Sequence, residues 1–131
     1  MDAAAVERIM LDVVRAVDDV DGTVRLDPSR VTLRLVGASP RTVDISTPGD
    51  WWCELETDPG FGIATVLANP DANDLSEVIA LYVRIGAEYM RSGGDLSRSR
   101  LLGVPRLTVY SEGIPFVLKR SVLRNLSGRQ F

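Results

Sequence analysis

Glu54 and Glu56 are the residues best placed to do chemistry. They stand two apart in the run Trp51-Trp52-Cys53-Glu54-Leu55-Glu56. Successive side chains of a strand point to opposite faces, so both carboxylates share a face with Trp52. Paired carboxylates can cleave a glycosidic bond without histidine. That reaction needs a sugar-sized cleft, which these residues do not reveal. Solubility, salt bridges or partner recognition explain the same pair. The chain has no histidine and a single cysteine. A Ser–His–Asp or Cys–His site is therefore excluded, and the most versatile metal ligand is missing. A carboxylate-dependent hydrolase ranks below two binding readings.

The other reactive groups fit structural roles. Cys53 alternates with the acids, so it points inward with Leu55 and is expected to be buried and inert; a nearby arginine would be needed to activate it. Asp18, Asp19, Asp21 and Gly22 crowd carboxylates together, but the twelve-residue calcium loop and its closing glutamate are absent. They read as a solvated turn. Gly60-Phe61-Gly62 does not match a dinucleotide fingerprint, and Gly93-Gly94 lacks the rest of a phosphate loop. Lys119, the only lysine, reads as a surface charge at a strand end. Neither a cofactor nor a metal is expected.

Composition bounds the answer further. The 131 residues are 45% hydrophobic and 25% charged, which predicts one globular domain over 1–131 rather than disorder. One cysteine makes no internal disulfide, which fits a reducing compartment. The first twenty residues are interrupted by five acids and do not read as a signal peptide. No stretch is long enough for a membrane span. Cytoplasmic localisation is the expectation.

Charge is unevenly spread. Residues 1–90 carry 16 acids and 7 arginines, a net of −9; residues 91–131 carry 8 basic residues and 2 acids, a net of +6. Ordinary surface charge accounts for this, and so does a polar recognition face using arginine forks. The overall acidity gives no strong nucleic-acid signal.

The elements that position these residues follow from periodicity. Val6, Ile9, Met10, Val13, Val14 and Val17 form a helical stripe over 3–18, with Asp2 as a cap. Strands are predicted over 23–26, 31–36, 41–47, 51–57, 61–67, 104–110 and 114–119. In the fourth, one tryptophan joins the core with Cys53 and Leu55. The other lies partly exposed beside the acids. A second helix is predicted over 75–91, with Asp74 and Glu77 at capping-box spacing. Gly86 permits close packing on a sheet. Residues 92–103 read as a polar connection bearing Arg98 and Arg100. Pro105 and Pro115 favour short or edge pairing. A short helix around Val122, Leu123 and Leu126 closes the chain. Together these elements predict an α+β fold, a mainly antiparallel sheet packed with two main helices.

Three segments carry a resemblance: the tryptophan strand, Ala87-Glu88-Tyr89-Met90-Arg91, and Gly103-Val104-Pro105-Arg106-Leu107. Over about residues 51–110 the chain resembles small bacterial immunity proteins of polymorphic-toxin systems, nearest to the Immunity protein 61 type. The resemblance implies neutralisation of a cognate toxin in the cytoplasm by direct contact, with no catalysis. It does not identify the toxin's chemistry. The residues themselves point to a partner-binding set of Trp52, Glu54, Glu56, Arg98 and Arg100. An acidic sheet face around Trp52 would mask a basic catalytic groove. The competing reading is a secretion chaperone or regulatory adaptor that binds a protein segment or forms a homodimer.

Overall fold

A computed structural model describes residues 2–48, 51–58, 60–67, 71–98, 101 and 103–120. Helix α1 spans Ala3–Arg15. Strands β1 to β5 follow at Asp21–Leu26, Val31–Val36, Val43–Thr47, Trp52–Thr57 and Phe61–Val66. Helix α2 spans Ala72–Ser92. Strands β6 to β8 are Asp95–Arg98, Pro105–Ser111 and Ile114–Arg120. All eight strands join one antiparallel sheet in the order β1-β2-β3-β4-β5-β8-β7-β6. The fold is α+β, as the periodicity predicts.

Both helices pack on the same face. On α1, Val6, Met10 and Val14 are buried, and Val14 meets the sheet beside Gly22 and Leu33. The Asp2 carboxylate accepts from the Ala5 N–H at 2.8 Å, satisfying a free donor at the helix start. Helix α2 begins one turn earlier than predicted. Asp71, not Asp74, is the cap, and it accepts from the Asp74 N–H at 2.8 Å. The helix ends at Gly93, whose φ of 79° is left-handed. A Cβ there would lie 2.8 Å from the Arg41 guanidinium, which donates to the Met90 carbonyl at 3.1 Å. A cation is thus held at the negative end of the helix.

Gly86 sets the distance between the layers. A Cβ on it would come within 2.7 Å of Leu35 Cδ1 and 3.0 Å of Val43 Cγ1. The bare backbone lets α2 settle onto β2 and β3. Beneath it, Leu33, Leu35, Val43, Ile45, Cys53 and Leu55 are buried. Each large apolar side chain taken from water in this way contributes about 1.5–3 kcal/mol before entropy is charged against it.

The connection predicted over 92–103 contains a strand. Residues Asp95–Arg98 pair with β7 as the edge of the sheet, from Asp95 opposite Thr108 to Arg98 opposite Pro105. All four are exposed, so no apolar alternation marks them. A short, charged edge strand is a common way to limit edge-to-edge association. Trp51 corrects a second expectation. It precedes β4 and is 57% exposed rather than core. The strand parity holds from Trp52 onward, whereas Trp51 sits in a bend. The helix expected around Val122 lies outside the described residues.

The sheet is not continuous along its whole length. Among the described residues, β5 and β8 pair only at Phe61 with Arg120 and at Gly62 with Lys119. Beyond those two rungs, residues 63–66 keep their pairing to β4, and 114–118 keep theirs to β7. The two halves of the sheet part there. Ile63 and Phe116, which border the parting on the helix side, are half-buried. Their cross-strand partners Leu55 and Val109 are 1% and 0% exposed.

Two stability measurements test this packing. Gly86→Val should lower the unfolding free energy by roughly 1–3 kcal/mol through overpacking against Leu35 and Val43, read as a lower urea midpoint. An unchanged midpoint would show that α2 does not rest on β2 and β3 at Gly86. Stability should also fall at alkaline pH. Burial pushes the Cys53 thiol up to about 12 and the Tyr82 phenol up to about 12. Burial, then the hydrogen bond to Asp58, does the same to Tyr89. Each group is neutral when protonated. Its contribution is complete below its unfolded value and is lost as pH rises through about 12. The urea midpoint should drop between pH 9 and 12, and Tyr82→Phe should make that drop shallower.

Candidate functional site

Side chains directly opposite one another on paired strands point to the same face. Among the described residues no element covers the face away from the helices. Read across the strands, one row of that face runs Thr23, Arg34, Asp44, Glu56, Gly62, Lys119, Arg106 and Ser97. The next row runs Arg25, Thr32, Ser46, Glu54 and Ala64. Trp52 and Val66 face each other beyond it. Strand alternation therefore brings Trp52, Glu54 and Glu56 together, and β2 and β3 supply their neighbours.

Those neighbours change the character of the patch. Arg34 clasps Asp44 with two parallel bonds, Nε to Oδ1 and Nη2 to Oδ2, both 2.9 Å. Asp44 holds the Arg34 guanidinium above its already high pKa, through the hydrogen bond first and then its charge. Arg30 Nη1 donates to Glu54 Oε1 at 3.1 Å. The Arg30 guanidinium carbon also lies 6.0 Å from the Trp52 ring centroid, at the outer limit of a cation–π contact. Trp51 meets Trp52 edge to face, with centroids 5.8 Å apart and an interplanar angle of 67°. Between the pairs, Thr32 and Ser46 are buried and share a hydrogen bond of 3.1 Å. The expected acidic face is an arginine–carboxylate lattice around a tryptophan pair. A reading of β4 alone misses Arg30, Arg34 and Asp44, because they become neighbours only through strand order.

The local backbone holds the aromatic pair. The Thr47 hydroxyl donates to the Trp52 carbonyl at 2.6 Å, and the Leu67 N–H donates to the Trp51 carbonyl at 2.9 Å. Exposed ion pairs contribute about 0–1 kcal/mol each to stability. Their larger effect here is to fix which way long side chains lie before anything binds.

Arg98 does not belong to this patch. It is exposed on β6 and opposes Pro105, whose parity places it on the helix side with Leu107. Its guanidinium donates to the Gly103 carbonyl at 3.0 Å. Four strand spacings, about 19 Å measured along the sheet, separate β6 from β4. Arg100 lies outside the described residues.

This face presents paired charges and two aromatic rings, and Glu54 and Glu56 share it with Trp52. A shallow hollow of about 590 Å³, lined in part by Val14, Asp18, Val36 and Gly37, lies at the end of β2 opposite Arg30. The Asp18–Asp19 turn there places Asp19 at a φ of 67°. Cys53 lies beneath the sheet with its thiol pKa raised by burial, so it is not an activated nucleophile. Among the described residues no group of three or more metal-ligating side chains is placed to hold an ion. No described helix is long and apolar enough to cross a membrane.

No family model, no curated protein and no solved structure matches this chain.

Proposed function

We propose that this protein is a non-catalytic binding protein that neutralises a cognate bacterial toxin in the cytoplasm by docking the helix-free face of its sheet onto the folded enzyme. The observation that carries this reading is the pre-ordered patch of Trp51, Trp52, Arg30 and Glu54 on a face that no described helix covers. Tryptophan and arginine dominate the binding energy of many protein interfaces. Side chains already held by neighbours lose little entropy on association. The mixed charges favour a partner whose surface alternates acid and base, rather than a uniformly basic groove. The choice of a toxin as the partner rests on the short segments within residues 51–110 that resemble the Immunity protein 61 type, not on a family match.

The test is capture from the native cytoplasm, followed by an activity assay on the recovered protein. The native chain should retain a folded enzyme and inhibit it at one-to-one stoichiometry. Trp52→Ala should fold normally and lose about 2 kcal/mol or more of affinity, a dissociation constant raised roughly thirtyfold. Arg30→Glu should weaken binding as well, because it removes the guanidinium that orders Glu54 and Trp52. Undiminished affinity in both variants would place the interface elsewhere. Recovery of a secretion segment without inhibition would replace the toxin reading with a chaperone.

A further inference from the structure

The parting between β5 and β8 is a second distinctive feature of the sheet. A strand edge presents free N–H and C=O groups, and an added strand satisfies them. Among the described residues two such edges border the parting, residues 63–66 on one side and 114–118 on the other. Their exposed side chains are apolar. Val66 is 75% exposed and Val117 is 41% exposed on the helix-free face. Ile63 and Phe116 are half-buried on the other. Pro115 stands in this part of β8, and proline is accommodated where a strand behaves as an edge.

Charge marks the closed end. Lys119 lies directly opposite Arg106, both exposed on the same face, and Gly62 on the other side of Lys119 offers no side chain. Like charges directly opposite one another are destabilising. Among the described residues neither cation has a carboxylate partner. Arg120, one residue on, stacks its guanidinium carbon 5.5 Å from the Phe61 ring centroid. An acidic group brought to this point would relieve the repulsion between Lys119 and Arg106.

We infer that the parting receives an extended segment of a partner protein, apolar at alternate positions and acidic where it meets Lys119 and Arg106. The segment adds a strand antiparallel to one wall and parallel to the other. Its alternate apolar side chains all point to one face, where they cover Val66 and Val117, and the residues between them pass beside Ile63 and Phe116. This inference stands on the interrupted ladder and does not require the partner to be a toxin. It is tested without any captured protein.

The probes are fluorescein-labelled peptides of alternating valine and threonine with two glutamates at one end or the other, and the same peptides with lysines instead. Binding to the full chain is followed by anisotropy at low salt, and the site is located by amide hydrogen exchange. One of the glutamate peptides should bind with micromolar affinity and protect amides in 63–66 and 114–118, which exchange quickly in the free protein. The lysine peptides should bind at least about tenfold more weakly. The double variant Arg106→Glu with Lys119→Glu should reverse that preference. The single variant Lys119→Glu, which removes the repulsion with Arg106, should fold at least as stably and lose the preference for acid. Strong protection of 63–66 and 114–118 in the free protein would overturn the inference. So would peptide binding that protects other strands, or no binding by any of the peptides below millimolar concentration.

Discussion

Close packing of α2 against one side of the sheet is the interaction on which everything else depends. At Gly86 the helix comes near enough for its backbone to rest on Leu35 and Val43. That contact buries the apolar half of each central strand and fixes strand register, because a slip of one residue would turn every buried side chain outward. It also decides where function can lie. With α1 and α2 on the same face, the alternate residues of every strand are committed to the other. Trp52, Glu54, Arg34 and Asp44 occupy that face because Cys53, Leu55, Leu33 and Ile45 are held against the helices.

How far the sequence discloses this architecture depends on the range of the interaction involved. The stripe Val6, Met10, Val14 and the alternation of Leu33, Leu35 and Cys53, Leu55 are local patterns, and they specify α1 and the buried faces of β2 and β4. The Asp71 cap is harder to read because Asp74 offers the same chemistry one turn later. Strand β6 escapes because Asp-Leu-Ser-Arg has no buried face to repeat; pairing with β7, not its own pattern, makes it a strand. Trp51 escapes for a different reason. Alternation assigns it to the core, but the strand starts one residue later and the bend turns it outward.

The candidate site is only half local. The shared face of Trp52, Glu54 and Glu56 follows from period two alone. Its charge does not. An acidic stripe becomes a lattice of ion pairs when β2 and β3 come alongside, since Arg34 opposes Asp44 across one ladder and Arg30 reaches Glu54 from the strand start. These are contacts between residues 10 and 24 positions apart. Arg98 shows the converse. It lies apart from Trp52, Glu54 and Glu56, because β5, β8 and β7 stand between its strand and β4. A sequence position in an exposed, charged segment is a weak guide to a site when strand order is unknown.

Val66 links the two proposed binding features. It opposes Trp52 on the helix-free face, and it also ends the part of β5 whose second edge is open. The tryptophan patch is held by ion pairs, by edge-to-face packing and by two backbone hydrogen bonds, so it offers a partner fixed shape. The parting offers unpaired backbone and apolar side chains, so it offers a partner something to complete. A rigid patch gains affinity because little order is lost on binding. An open edge gains it from main-chain hydrogen bonds, with specificity left to alternate side chains and to the charge at the closed end. A protein that engages both would need a structured surface against Trp52 and an extended segment that starts beside Val66. The two contacts would then act as linked sites, and the second would form at the high effective concentration set by the first.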